Sequence, residues 1–315
     1  WVLPGLLLTN IAFGLNNVLR ATGYPTRAMM TMIIGAVTNV ILDAVLVLWL
    51  DMGMVGAAIA TDIAMAVSAW FVVSHFFRQG VNLGFRRHTF GLRLGIIADI
   101  VSIGAAPCIV NVASCLINAL INRALVAHGG DMAIGAAGIF VTFTSLLTTI
   151  VLGICMGLQP IIGYNYGAGL LPRLRRAFWL AVGVSSLICI AGSIFGLAWP
   201  GLVARAFTAD DFLIGQTVFC LRHCLWAFSV VGFQIIATCF FQSIGAPAKA
   251  MFLSLTRQVI FLIPLILWLP GQMGVKGVWL SFPISDLLAT AVTAIMIIYQ
   301  FRQIDRLSAL KTAAI

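Results

Sequence analysis

Long uninterrupted stretches of apolar residues recur at short intervals along the whole chain. Cutting the sequence at charge clusters and at Gly and Pro breaks predicts nine helical spans, at residues 2–18, 28–50, 54–77, 95–126, 132–165, 178–200, 213–241, 250–270 and 275–300. A helix needs about 20 apolar residues to cross a bilayer, and most of these runs reach that length. Strands of a membrane barrel would instead alternate in runs of about ten residues. The pattern therefore predicts an all-α polytopic membrane protein.

Composition agrees with this interpretation. Charged residues make up 9% of the 315 positions and hydrophobic residues 62%, whereas a soluble domain carries about 25% charged residues. A net charge of +9 would suggest nucleic acid as the partner of a soluble protein, but in a membrane protein it reports topology. We expect membrane lipid around the chain and no nucleic-acid partner. Because no catalytic or nucleotide-binding motif is found, we expect neither an enzyme nor a cofactor.

The basic residues are distributed unevenly between the two sides of the predicted bundle. Near the ends of every second span, all on one side, lie Arg20, Arg27, Arg78, Arg86, Arg87, Arg93, Arg173, Arg175, Arg176, Lys249, Arg302, Arg306 and Lys311. The opposite loops contain only Arg205 and Lys276. Because cytoplasmic loops carry the excess of Lys and Arg, the richer side predicts the cytoplasm and places the C-terminus there.

Two segments of the chain resemble each other. Residues 19–29 align with residues 241–251, and residues 52–56 align with 273–277. Six predicted spans separate the copies, so both have the same orientation in the membrane and form parallel repeats. Within its own repeat the second copy follows four spans and precedes two, whereas the first copy follows one span and precedes two. We therefore expect three spans to be missing before Trp1, so that the chain is an N-terminally truncated fragment with nine of twelve spans.

Several polar groups lie inside predicted spans, where ionisable residues are costly and often functional. Asn39 and Asp43 are four residues apart and share one helical face, and Thr61 on the next span has a similar estimated depth. Carboxylate, amide and hydroxyl oxygens suit a hard cation, or a carboxylate that takes up a proton. The alternative is hydrogen bonding that only holds the helices together. Asp62 lies on a different face from Thr61, and either faces the interior beside Asp43 or reaches a polar neighbour on another span.

A second polar pair is predicted in the last two spans. Arg257 and Asp286 have opposite charges and are interpreted as a structural ion pair, although their estimated depths differ by about 10 Å. No cluster of His and Cys has the spacing of a metal site. We therefore expect no metal site, with one exception. If the ion that binds at Asp43 is Na⁺ and not H⁺, then Asp43 holds that Na⁺.

Several motifs are shared with one family of transporters. They lie at residues 19–25, 39–43, 52–61, 157–169, 241–246, 257–259 and 277–279. In combination they resemble the multidrug and toxic compound extrusion (MATE) family. The resemblance implies a two-lobed helical bundle that works by alternating access and antiports cationic amphiphilic compounds against Na⁺ or H⁺. It also implies a monomer in a prokaryotic inner membrane.

The resemblance also assigns roles and boundaries. Asn39, Asp43 and Thr61 match the cation-coupling residues of relatives with a site in the N-lobe, and Asp62 replaces a usually apolar residue and is a further candidate. The expected substrate cavity is lined by Phe140, Phe143, Gln159, Phe228 and Phe233, although phenylalanines in such positions are more often packing residues than ligands. The expected parts are the rest of the N-lobe, a linker, the C-lobe and a cytoplasmic tail, at residues 1–78, 79–94, 95–301 and 302–315.

Two other functions stay open from the sequence. A lipid-linked saccharide flippase of the same superfamily would share the architecture, but it would be expected to have a strongly basic cavity for pyrophosphate. Only Arg222 and Arg257 lie deep in predicted spans of the second half, which favours the exporter. A non-transporting membrane protein is the third alternative.

Overall fold

The structure, a computed structural model, describes residues 3–77 and 94–313. These residues form helices joined by short turns, with no strand in either range. The chain divides into two compact units, residues 1–93 and 94–315, which we call the N-terminal and C-terminal units. The segment interpreted as the linker lies outside the described residues except for its last residue.

The N-terminal unit contains three helices. They are α1 (Leu3–Ala21), α2 (Pro25–Asp43) and α3 (Gly53–Phe76). α2 continues without interruption into a π-helical segment, Ala44–Trp49, in which the amide of Leu50 donates to the carbonyl of Val45 at 3.0 Å. Helix α3 packs against both of the others, and a small apolar cluster joins Leu19, Ala28, Val72 and Phe76.

The C-terminal unit contains the remaining helices. In chain order they are α4 (Leu94–Gly167), α5 (Leu171–Ala198), α6 (Pro200–Arg205), α7 (Asp211–Cys224), α8 (Val231–Ser243), α9 (Pro247–Leu255), α10 (Ile263–Met273) and α11 (Val275–Ala313). A 3₁₀ segment, Leu225–Val230, joins α7 to α8, and a second π-helical segment, Thr256–Leu262, joins α9 to α10. Trp279, Phe178 and Phe240 are among the largest fully buried side chains.

Helix α4 is two spans joined at a glycine. Gly130 has φ 68° and ψ −170°, a conformation outside the helical region that glycine tolerates best. The residues on either side correspond to the predicted spans 95–126 and 132–165. The sequence therefore separated these spans correctly, at the position where the backbone breaks.

Within the described ranges, seven helices are long and apolar enough to cross a membrane, and one of them, at residues 108–167, contains the two spans joined at Gly130. The all-α membrane fold is thus confirmed. The predicted span 2–18 forms helix α1, but α1 is not among the seven. Asn10, Asn16, Asn17 and Arg20 lower its apolar character.

The repeated segments form the same turn in both units. Gly23 and Gly245 have positive φ angles of 88° and 78°. In each turn the amide after the glycine donates to a carbonyl five residues back, Tyr24 to Leu19 and Ala246 to Phe241, both at 2.9 Å. This is a helix C-cap that requires a left-handed residue. A proline then begins the next helix in both copies, where its fixed φ is favourable.

Basic residues from different helices converge at one end of the C-terminal unit. Arg175 at the start of α5 pairs with Asp305 of α11 at 2.5 Å and lies over the ring of Phe301. Lys249 at the start of α9 donates to Gln300 of α11 at 2.6 Å. The basic ends of α5, α9 and α11 therefore lie on the same side of this unit.

Candidate functional site

Helices α2 and α3 bring Asn39 and Thr61 together. The amide nitrogen of Asn39 donates to the hydroxyl of Thr61 at 3.4 Å, and that hydroxyl donates to the carbonyl of Ala57 at 2.8 Å. Because Asn39 uses its nitrogen here, its amide oxygen is available to another group. Asp43 lies one turn further along α2, at the last residue before the π-helical segment.

One carboxylate oxygen of Asp43 has no hydrogen-bond donor among the described residues. Its Oδ1 is buried and accepts no hydrogen bond from the residues in ranges 3–77 and 94–313. An isolated buried carboxylate oxygen is costly unless it binds a proton or a cation. Asp43, Asn39 and Thr61 thus supply oxygen atoms at neighbouring positions of two adjacent helices, which is a donor set that a hard cation accepts.

A cavity of about 330 Å³ lies beside this group and is lined by residues of α1, α2 and α3. Asn39 and Thr61 are on its wall, whereas Asp43 is not. The remaining polar wall residues are Thr9, Asn16, Thr31 and Ser68. Apolar wall residues such as Phe13 and Met32 alternate with them. The cavity therefore offers both apolar surface and hydrogen-bonding groups next to the Asn39–Thr61 pair.

Asp62 faces helix α1. A Cβ added at Gly5 of α1 would collide with Asp62 Oδ1, so the carboxylate fits there only because residue 5 is glycine. Asp62 Oδ1 is also buried and has no hydrogen-bond partner among the residues placed by the structure. Asp62 Oδ1 thus lies against another span, but the described residues give it no polar neighbour there.

Arg257 and Asp286 are in contact in the C-terminal unit. Arg257 Nε and Asp286 Oδ1 are 2.6 Å apart, and Arg257 lies in the π-helical segment between α9 and α10. The amide of Gln234 donates to the carbonyl oxygen of Asp286 and to the hydroxyl of Thr290, both at 2.6 Å. The predicted ion pair between Arg257 and Asp286 therefore forms, despite the difference of about 10 Å in depth that was estimated from the sequence.

The residues expected around a substrate cavity separate into two groups. Phe140, Phe143 and Phe228 are buried in the apolar core of the C-terminal unit, and the partly buried Phe233 packs against that core. Gln159, by contrast, lies on the wall of a cavity of about 300 Å³. A substrate role for the four phenylalanines stays a prediction.

Sequence reasoning missed two amide side chains that each have a buried, unsatisfied oxygen. The amide of Asn16 donates to the carbonyl of Ala28 at 3.1 Å, but its Oδ1 is buried without a partner in the described part of the chain, as is Oε1 of Gln234. Both are amides inside apolar helices, which was a signal in the sequence. Their neighbours, however, come from other helices and could not be read from spacing.

The chain is similar to multidrug export proteins of staphylococci. It is 27% identical over 299 residues to the multidrug export protein MepA of Staphylococcus aureus strain bovine RF122 / ET3-1, a match that covers 94% of this chain and 64% of that protein. The MepA protein of Staphylococcus saprophyticus is 24% identical over 300 residues, with the same two coverages. The chain therefore spans a little under two thirds of these relatives.

Solved structures share the fold of this chain, and a family model gives its family. The crystal structure of MATE in the bent conformation superposes with a TM-score of 0.87 at 22% identity, covering 97% of this chain and 68% of that one. An outward-facing multidrug resistance MATE family transporter superposes with a TM-score of 0.85 at 23% identity, covering 92% and 65%. The family model MatE matches residues 107–268, just over half of the chain. The chain therefore belongs to the MATE family.

Proposed function

We propose that this chain is part of a secondary active multidrug exporter, which antiports cationic amphiphilic compounds against Na⁺ or H⁺ by alternating access. Family membership and the similarity to MepA support multidrug efflux. The compounds, the coupling ion, the monomeric state, the bacterial inner membrane and the cytoplasmic C-terminus are parts of the proposal.

The buried, unpartnered Oδ1 of Asp43 next to the Asn39–Thr61 contact is the observation that carries the coupling role. A proton on Asp43, or a Na⁺ ion held by Asp43, Asn39 and Thr61, removes the cost of that oxygen. Coupling requires that the ion and the drug prefer different states of the transporter. Asp62 is a second carboxylate with an unpartnered oxygen in the same unit, and we assign it as a further proton site.

The flippase alternative has less support. Of the two basic residues predicted at depth, Arg222 is exposed on α7, and Arg257 is paired with Asp286. A cavity for a lipid pyrophosphate would need several unneutralised cations. Reconstituted protein that accelerates the reversal of a saccharide lipid across vesicles, without exporting dyes, would favour the flippase.

The coupling role is tested by efflux of a fluorescent cationic dye from cells that express the protein. Asp43→Asn keeps the shape of the side chain but cannot release a proton or neutralise Na⁺. We expect it to reduce gradient-driven efflux by at least about tenfold, the scale of losing one charge-assisted contact. The matched control is Asp51→Asn, which removes the same charge from an exposed turn residue eight positions away.

Equal amounts of each variant in the membrane are required for the comparison. Efflux by Asp43→Asn at the rate of the unaltered protein would remove Asp43 from the mechanism. Comparable losses in the Asp51 control would show that the effect is one of overall charge. Repeating the assay with Na⁺-free and pH-clamped vesicles distinguishes Na⁺ from H⁺.

A further inference from the structure

A second cavity lies entirely within the C-terminal unit, between α4, α8, α9, the π-helical segment after α9, and α11. It encloses about 300 Å³, which is enough for a small organic group. Four glutamines line its wall, Gln159, Gln234, Gln242 and Gln258. Polar side chains are costly inside an apolar membrane bundle, so a cluster of four glutamines indicates a functional site.

Arg257 brings a guanidinium to the wall of the cavity. It is the charged member of the wall as far as the described residues show, and Asp286 is not on the wall. The side chain of Arg257 is 34% exposed, whereas that of Asp286 is 7% exposed behind it. Asp286 accepts from Nε, and the described residues show no acceptor for the two terminal nitrogens of the guanidinium. A group that enters the cavity therefore meets the cation and not the carboxylate.

The neighbouring amides have complementary unused groups. Gln258 accepts from the hydroxyl of Ser114 at 2.8 Å, and this contact leaves its amide nitrogen as a donor beside Arg257. Gln234 donates through its nitrogen, and its Oε1 is buried without a partner among the described residues. Gln234 itself is only 5% exposed. The wall thus offers two kinds of donor, the guanidinium of Arg257 and the amide nitrogen of Gln258.

We propose that this cavity binds the carboxylate of a small organic anion, with the terminal nitrogens of Arg257 as the main contact. The planar fork of a guanidinium matches both oxygens of a carboxylate, and such charge-assisted contacts strengthen where water is scarce. Asp286 is then a positioning residue that orients the fork. The site goes beyond the proposed function, which concerns cations and a group in the N-terminal unit.

The test compares two fluorescent probes that differ only in the charged group, dansylglycine and dansylglycinamide. Each is titrated into the purified chain in detergent, and its fluorescence gives the dissociation constant. We expect the acid to bind about tenfold more tightly than the amide, as for one charge-assisted contact. Arg257→Gln should remove this preference by weakening binding of the acid alone.

Two further variants guard against misfolding. Arg257→Gln leaves Asp286 buried without its cation, so the double variant Arg257→Gln with Asp286→Asn replaces the ion pair by two neutral amides. Arg257→Lys keeps the charge but loses the planar fork, and we expect a several-fold loss of acid binding. The matched control is Arg222→Gln, which removes one exposed charge from α7 outside the cavity and should leave the preference unchanged.

Equal binding of the two probes to the unaltered chain would overturn the proposal. So would a preference for the acid that survives in both the single and the double neutral variant. Should neither of these fold, unchanged acid binding by Arg257→Lys would overturn it. None of these outcomes decides the proposed transport function, because the dye-efflux test depends on Asp43 in the N-terminal unit.

Discussion

Two ion pairs in the C-terminal unit differ in their surroundings, and they should therefore differ in their effect on stability. Asp286 is nearly buried beside Arg257, whereas Arg175 and Asp305 are 40% and 54% exposed. Removing Asp286 leaves the guanidinium of Arg257, which is 34% exposed, without its carboxylate, and this costs more than losing an exposed pair. An exposed pair contributes less than about 1 kcal/mol.

We therefore expect Asp286→Ala to lower the thermal unfolding midpoint in detergent much more than Asp305→Ala does. Asp305→Ala is the matched control, because it deletes the same side chain on the same helix. Adding Arg257→Gln to Asp286→Ala should recover part of the loss. Equal midpoints for the two alanine variants would show that the buried pair has no special role in stability.

At this scale, spacing predicted some neighbours and not others. Asn39 and Asp43 share a face because they are four residues apart, and the short turn to α3 brought Thr61 alongside. The fit of Asp62 against Gly5 depends on how α1 packs, which hydrophobic pattern does not encode. The assignment of these residues to ion coupling stays a prediction.

Among elements, the two repeats contain glycines at equivalent close contacts. A Cβ at Gly277 would collide with the carbonyl of Leu269, and one at Gly56 would lie 2.9 Å from the carbonyl of Leu46. In both cases the obstacle is backbone, which cannot rotate away. These glycines allow the helix after each turn to approach the preceding one.

Gly56→Ala and Gly277→Ala should each destabilise the protein by about 1–3 kcal/mol, the usual cost of overpacking. The control is Gly271→Ala in α10, where an added Cβ has no neighbour within 4 Å. The readout is the midpoint of thermal unfolding in detergent, with the yield of monodisperse protein as a second measure. A loss in the control as large as in the other two would contradict the packing argument.

The repeats were visible in the sequence because their turn chemistry is local. Gly23 and Gly245 each precede a proline by two residues, and that pattern alone predicts a helix end followed by a helix start. The two π-helical segments were not predicted. Each takes the place of one or two turns of α-helix within an apolar run. Neither Ala44–Trp49 nor Thr256–Leu262 has a composition that distinguishes it from an α-helix.

For the whole molecule, the clustering of basic residues predicts which side is cytoplasmic. Arg175, Lys249 and the end of α11 lie together at one end of the C-terminal unit, and the turn at residues 206–210 lies between α6 and α7. We expect a green fluorescent protein fused after Ile315 to fluoresce, since it folds in the cytoplasm. Alkaline phosphatase fused after Thr208 should be active outside.

A phosphatase fusion after Ala246, in the turn before α9, is the control and should be inactive. The opposite pattern of activities would mean that the basic residues do not set the orientation. Fold class could be predicted at this scale because the apolar runs are long and continuous. The helix boundaries were less certain, since α5 begins at Leu171, seven residues before the predicted span.

The wide turn that follows Asp43 has a mechanical consequence. A π-helical turn contains about one residue more than an α-helical turn. One extra residue rotates the side chains on one side of it by about 100° about the helix axis, relative to those on the other side. If the extra residue migrates from Ala44–Trp49 towards the start of α2, the residues it passes rotate while the helix keeps its ends. Asp43 lies at the edge of this segment. A shift of this segment along the helix would therefore give the acid a different set of neighbours without unfolding α2.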